Sequence, residues 1–191
     1  MIPVVPAASD SQDAESDPAA TVATARRDIQ LASRGMSMDG IVEAALAAAR
    51  PQPELSWLDV GCGTGAALRR IHDRHSPRQL VGNDIVNWLD ADLREHVTFR
   101  EMAAETGIDA DPADRILMLE VLEHLEAPLI TLRHAARLLR PGGRLVATVP
   151  NFASLNSFAH LVRRGELAAF REWRADHLSP IVPHVVLRIT Q

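Results

Sequence analysis

Three groups of residues in this sequence have the types and spacing for chemistry. The first is a glycine loop, Gly61-Cys62-Gly63-Thr64-Gly65, which begins two residues after an acid, Asp59. Glycines at such positions let the backbone turn sharply and come close to a ligand without Cβ obstruction. The second is a carboxylate, Asp84, which follows the loop at the interval of about 20 residues where an acid grips ribose hydroxyls. The third is Glu120-Val121-Leu122-Glu123-His124, two carboxylates and an imidazole in one short run. His124 is placed to take a proton from an acceptor hydroxyl. Taken alone, the loop is ambiguous: Gly61, Gly63 and Ala66 also satisfy the G-x-G-x-x-G/A pattern of dinucleotide sites. Cys62, the one cysteine of the chain, reads as a small residue that fits beneath a cofactor rather than as a nucleophile.

Four blocks in order resolve that ambiguity. They are Leu58-Asp59-Val60-Gly61-Cys62-Gly63-Thr64-Gly65, Leu80-Val81-Gly82-Asn83-Asp84, the run from Asp114 to Leu125, and the run from Leu138 to Asn151 that contains Pro141-Gly142-Gly143. Together they resemble the class I S-adenosylmethionine-dependent methyltransferases over residues 38 to 155. The resemblance implies S-adenosylmethionine as cofactor, with Gly61, Cys62, Gly63 and Gly65 beneath its methionine part. Asp59 would position that part or orient the loop amides. Asp84, with Ile85 beside it, would accept bonds from both ribose hydroxyls. Where the family often carries an acid for the adenine amine, this chain has Met102-Ala103. Met102 would lie on the adenine face and the Ala103 amide would donate to a ring nitrogen, with Glu101 or Glu105 standing in for the missing carboxylate. Glu120 would end the fourth strand facing the cleft.

Glu123 and His124 are the catalytic candidates, and three readings of them stay open. His124 acts as a general base; or the two residues stabilise the turn; or Glu120, Glu123 and His124, with His177 added, resemble the Mg²⁺ or Mn²⁺ set of some methyltransferases. No residue is assigned to a metal. The implied reaction is direct displacement of the methyl group by a small-molecule hydroxyl, amine or sugar, in which aligning the acceptor supplies much of the acceleration. The alternative is a truncated or non-catalytic member that binds the cofactor or a partner. A nicotinamide oxidoreductase is disfavoured: the last two blocks have no reason to occur there, and the chain holds neither tyrosine nor lysine for a Tyr-x-x-x-Lys pair.

The elements that must hold these residues follow from pattern. Ser56 to Val60, Gln79 to Asn83, Val97 to Phe99, Arg115 to Leu119 and Arg144 to Val149 read as strands, the apolar runs as buried parallel ones. Helices are expected from Gly40 to Ala49 with Asp39 as N-cap, from Ala66 to about His75, and from Leu129 to Leu139, stopped by Pro141-Gly142-Gly143. The segment Ile85 to Glu95 is short and mixed. Alternating strands and helices predict an α/β fold, a doubly wound, mostly parallel Rossmann-like sheet with helices on both faces. After Asn151 a helix-like segment carries Leu155, Phe158, Leu161 and Val162 on one side, and packing of that side on the sheet is favoured over a lid or a lipid-contacting surface. Arg171, Trp173, Arg174 and His177 are candidates to shape an acceptor pocket. The complete fold needs two more strands, and Val185 to Ile189 offers one. If the C-terminal strands are incomplete, the fifth strand has an open edge, which a partner or a homodimer would cover.

Composition sets the outer limits. The 191 residues suit one domain over 21–191, which opens on a short, weakly periodic helix-forming stretch at 21–34 and is preceded by an acidic tail at 1–20 expected to be disordered. The net charge is −5, and Asp10, Asp13, Glu15 and Asp17 supply most of it, so the remainder is nearly neutral. It offers no basic groove for a phosphate backbone, which argues against a nucleic-acid partner. Neither a signal peptide nor a membrane-spanning run is visible, and a cytoplasmic location is expected.

Overall fold

The central strand of the sheet is β1 (Ser56–Val60), and every residue of it is buried. Its side chains alternate between two apolar layers: Trp57 enters one, Leu58 and Val60 the other. The neighbouring strand β4 (Ala113–Leu119) divides in the same way, with Leu117 and Leu119 in the first layer and Ile116 and Met118 in the second. A period of two combined with burial on both faces produces the near-continuous apolar runs seen in the sequence. Each large side chain so buried contributes about 1.5–3 kcal/mol.

A computed structural model describes residues 38–151, 155–165 and 179, all within one unit, Arg34–Gln191. The remaining strands are β2 (Gln79–Asp84), β3 (Thr98–Glu101) and β5 (Leu139–Thr148). All four pairings are parallel and the order is β3-β2-β1-β4-β5. Helices α1 (Met38–Ala49) and α2 (Ala66–His75) and the single turn α3 (Ala91–Arg94) cover the first layer. Val42, Leu46, Leu68, Ile71 and Leu93 bury their side chains there. Helix α4 (Pro128–Arg137) covers the second layer through Leu132 and Ala135. The expected doubly wound parallel sheet is thus present, and the strand order reverses between β1 and β4. Such a switch point opens a crevice at the carboxyl ends of the strands.

The opposite, amino rim is fastened by polar contacts. Asp114 Oδ2 accepts from Ser56 N at 2.9 Å, Ser56 Oγ at 2.8 Å and Arg78 Nη2 at 3.0 Å. These bonds, with Arg140 and Arg78 nearby, hold the Asp114 carboxyl below the usual carboxylate range. Buried Arg115 turns to the end of α1 and donates to Ala49 O at 2.6 Å and Arg50 O at 3.3 Å. It thereby satisfies carbonyls that the helix end leaves without intrahelical donors. Arg70 pairs with Asp39 and Glu43, and Arg74 with Glu43, which joins α2 to α1.

Several boundaries depart from the sequence reading. Helix α1 starts at Met38, so Asp39 lies in its first turn, paired with Arg70, rather than at the N-cap. Helix α4 ends at Arg137, and Leu138 closes it in a right-handed conformation. Pro141-Gly142-Gly143 is therefore not the helix stop: it lies within β5, at an irregularity in the register between Ala113 and Arg115. A Cβ on Gly143 would come within 2.8 Å of Arg140 O and 3.0 Å of Asp114 O, so the strand pair there closes only around glycine. Helix α5 (Leu155–Arg164) does not lay its apolar side on the sheet: Phe158 is 62% exposed and Val162 70%. The expectations for residues 1–20 and 21–34, for Arg171, Trp173, Arg174 and His177, and for a strand at 185–189 lie outside the described residues.

Candidate active site

Every loop that leaves the carboxyl end of a parallel strand reaches the same rim, and the residues singled out for chemistry sit there. The glycine loop follows β1, and the amides of its glycines and of Cys62 have acceptors. Gly61 N and Cys62 N donate to Asn83 O at 2.7 and 3.1 Å, Gly63 N donates to Asp84 Oδ2 at 2.8 Å, and Gly65 N donates to Cys62 O at 2.9 Å. The end of β2 thus holds three of these amides in place. Gly61 and Gly65 have positive φ, 72° and 80°. A Cβ on Gly61 would run into Val121 of the turn after β4, and one on Gly65 would come within 2.6 Å of Leu89 and Leu93. These two glycines therefore allow protein to close on protein as well as permitting the turn.

Asp84 ends β2 with both oxygens directed at backbone: Oδ2 to Gly63 N, and Oδ1 to Ile85 N at 2.7 Å. A carboxylate can accept about four hydrogen bonds, so these two do not by themselves exclude ribose hydroxyls. Asp59 is 3% exposed within β1. Burial, and then the charge of Asp84, push its carboxyl up to about 8. Among the described residues no hydrogen-bond donor is seen to reach it. Burial likewise pushes the Cys62 thiol up, with Asp59 and Asp84 adding to the effect. The sulfur lies against Gly82, which fits the small packing residue expected and not a thiolate.

On the side of β3, Met102 N donates to Asp84 O at 3.0 Å, and Met102 O accepts from Asn83 Nδ2 at 3.0 Å. Ala103 O accepts from Thr106 N and Oγ1. Glu105 is engaged elsewhere: its Oε1 accepts from Ala127 N at 2.7 Å, before the first turn of α4. Glu101 is exposed at the end of β3.

After β4, Glu120 adopts φ 54°, a left-handed conformation that costs a non-glycine residue energy. Thr148 at the end of β5 fixes it there, since Glu120 N donates to Thr148 O at 3.2 Å and to its Oγ1 at 3.0 Å. A 3₁₀ turn, Leu122–His124, follows. Glu123 points inward and is 1% exposed, whereas the His124 side chain is 25% exposed. Glu123 Oε1 lies 4.0 Å from His124 Nε2. Ser179 closes on this turn, donating through N to Glu123 O at 3.0 Å and through Oγ to Leu125 O at 2.8 Å. Among the described residues no three His, Cys, Asp or Glu side chains converge as metal ligands.

Three contributors were not marked in the sequence. Asn83 holds the loop by its carbonyl, Thr148 pins Glu120, and Val121 meets Gly61. Asn83 carried a legible signal, a polar amide in an otherwise apolar strand beside the acid. Thr148 and Val121 carried none, because their importance comes from contacts between segments far apart in the chain.

A family model described as a methyltransferase domain matches residues 33–185. A ubiquinone biosynthesis O-methyltransferase of Parvibaculum lavamentivorans is 32% identical over 127 residues, 59% of this chain and 47% of its own. The chain spans about half the length of the curated relatives it matches. Among solved structures, the YcgJ protein of Bacillus subtilis is similar with a TM-score of 0.59 at 18% identity, covering 78% of this chain and 64% of its own. Coclaurine N-methyltransferase, solved with N-methylheliamine and SAH, is similar with a TM-score of 0.51 at 22% identity, covering 56% and 34%. The parallel sheet, the glycine loop braced by the acid of the next strand, and a family match over most of the chain lead to one conclusion: this chain belongs to the class I S-adenosylmethionine-dependent methyltransferases.

Proposed function

We propose that the protein transfers a methyl group from S-adenosylmethionine to a small-molecule hydroxyl, amine or sugar, with a hydroxyl acceptor favoured. The observation that carries this reading is the bond from Gly63 N to Asp84 Oδ2, which draws the acid of β2 against the glycine loop of β1. The residues suit the group. Asp59 is an acid whose ionised form is disfavoured by burial and then by the charge of Asp84, and a cationic ligand nearby would favour that form. When bound, S-adenosylmethionine supplies a methyl group already activated on its sulfonium. Asp84 would accept the ribose hydroxyls, Asp59 would face the charged methionine end, and Gly61, Cys62, Gly63 and Gly65 would give the loop its shape. Ile85, Met102 and Ala103 would line the base, and Glu120 would sit at the rim between cofactor and acceptor.

His124 is the residue we assign to take the acceptor's proton, because its imidazole is partly exposed in the turn that follows β4 at the crevice rim and can act as a general base. Glu123, buried beneath it, is a positioning residue that orients the ring. The hydroxyl preference is supported by the relatives named ubiquinone biosynthesis O-methyltransferase. Among the described residues no helix is long and apolar enough to cross a membrane.

Calorimetric titration with S-adenosylmethionine, followed by a product scan against phenols, alcohols, amines and sugars, tests the proposal. Binding with turnover of a hydroxyl acceptor supports it. Binding without turnover on any acceptor would favour a non-catalytic, cofactor-binding member of the family, and absence of binding would end the proposal and leave only a partner-binding role.

A further inference from the structure

Asn83 lies between the two halves of the crevice and is 1% exposed. Its main-chain carbonyl accepts from Gly61 N and Cys62 N, which fixes the start of the glycine loop. Its side-chain Nδ2 donates in the other direction, to Arg100 O and to Met102 O, each at 3.0 Å. One residue thus ties the loop after β1 to the segment leaving β3. The carboxamide orientation is unambiguous, because both of its partners are carbonyl oxygens and only the NH₂ end can serve them. That leaves Oδ1 buried, and among the described residues nothing donates to it. A buried acceptor in that state is costly, and an aliphatic side chain would avoid the cost. The two donated bonds are what the amide supplies and an aliphatic residue could not.

We propose that Asn83 is a positioning residue for cofactor binding, acting through the Met102 carbonyl to set where the Met102–Ala103 backbone stands. This rests on the reading of the crevice given above. The chain has no carboxylate at Met102-Ala103 to hold the adenine amine, so on that reading the backbone there and the Met102 side chain take part in recognising the base. Backbone recognition works only if the backbone is held in place. Met102 is held from two sides: its N–H donates to Asp84 O and its carbonyl accepts from Asn83. Because Asp84 is also the acid assigned to the ribose, the base and sugar walls share one short stretch of β2.

Two substitutions separate the role of the amide from a general effect on folding. Asn83→Leu keeps approximate size, removes both donors and removes the buried acceptor. Asn83→Asp keeps shape and presents acceptors to two carbonyls, but regains one donor when protonated. Both are compared with the unaltered chain by calorimetric titration with S-adenosylmethionine and with adenosine, and by hydrogen exchange of residues 101–106 without ligand.

In Asn83→Leu the expected result is cooperative unfolding as in the parent, about tenfold weaker binding of both ligands, and faster exchange over 101–106. In Asn83→Asp, binding relative to Asn83→Leu should recover as the pH is lowered, since the protonated acid donates again. Unchanged exchange over 101–106 in Asn83→Leu, or equal affinity in all three proteins, would overturn the proposal. If the unaltered chain binds neither ligand, the functional reading fails, and the exchange measurement still decides whether Asn83 holds the segment.

Discussion

At the scale of single residues, Asp84 has two duties. It braces the loop through Gly63 N and is assigned to the ribose. Asp84→Ala should therefore weaken S-adenosylmethionine by at least about 100-fold, equivalent to about 2.7 kcal/mol. It should also lower the stability of the ligand-free protein by about 2 kcal/mol through the two lost backbone bonds. Titration and thermal unfolding of the same sample read both effects, and unchanged affinity would remove the central site assignment. Asp59 gives a pH signature. Its folded-state pKa is raised from 3.8 to about 8, so the folded chain retains a proton that the unfolded chain has released. Stability of the ligand-free protein should fall as pH rises between those two values. Asp59→Asn should flatten that limb in a series of unfolding curves. Asp114 acts with the opposite sign: its pKa is lowered, so its contribution is present above the ordinary carboxylate range and is lost as the pH falls through its folded value.

At the scale of elements, the glycine loop and the turn after β4 form one joint. Gly61→Ala places a methyl group against Val121 and forces an L-residue to φ 72°. The backbone part costs about 1–2 kcal/mol, and the clash adds to it. Adding Val121→Ala should recover the clash and leave the backbone part, a coupling that a double-mutant cycle measures directly. The same elements show what could be read from sequence. β1 was legible because a short apolar run between Pro53 and the glycine loop has room for one strand and nothing longer. The glycine loop and Asp84 were legible because special backbone shapes and a lone acid leave marks on residue type. The start of β5 was not: Pro141-Gly142-Gly143 carries the same local signal in a helix stop as in a strand irregularity. Only pairing with Ala113 and Arg115 on β4 decides between them. The burial of Glu123 was equally hidden, since its neighbours come from distant parts of the chain.

At the scale of the whole molecule, the sheet has unequal rims. The carboxyl rim carries the crevice; the amino rim carries the Ser56–Asp114–Arg78 cluster and Arg115 at the end of α1. Cofactor that binds only the folded chain should stabilise all of it. At 100 times the dissociation constant the gain is about 2.7 kcal/mol, or roughly 5–10 °C in melting temperature for a chain of this length. A dye-based melt with and without S-adenosylmethionine measures this, and the shift should vanish in Asp84→Ala.

The ionic fastening on the amino rim also bears on how such a protein can change over generations. Because the strands are clamped at the end remote from the chemistry, the loops above the crevice can be lengthened, exchanged or recoloured in charge without loosening the scaffold. A new acceptor can then be reached by rewriting one rim alone. Drift in Ser56, Asp114 or Arg115 would instead be felt by every such variant, whatever its crevice holds.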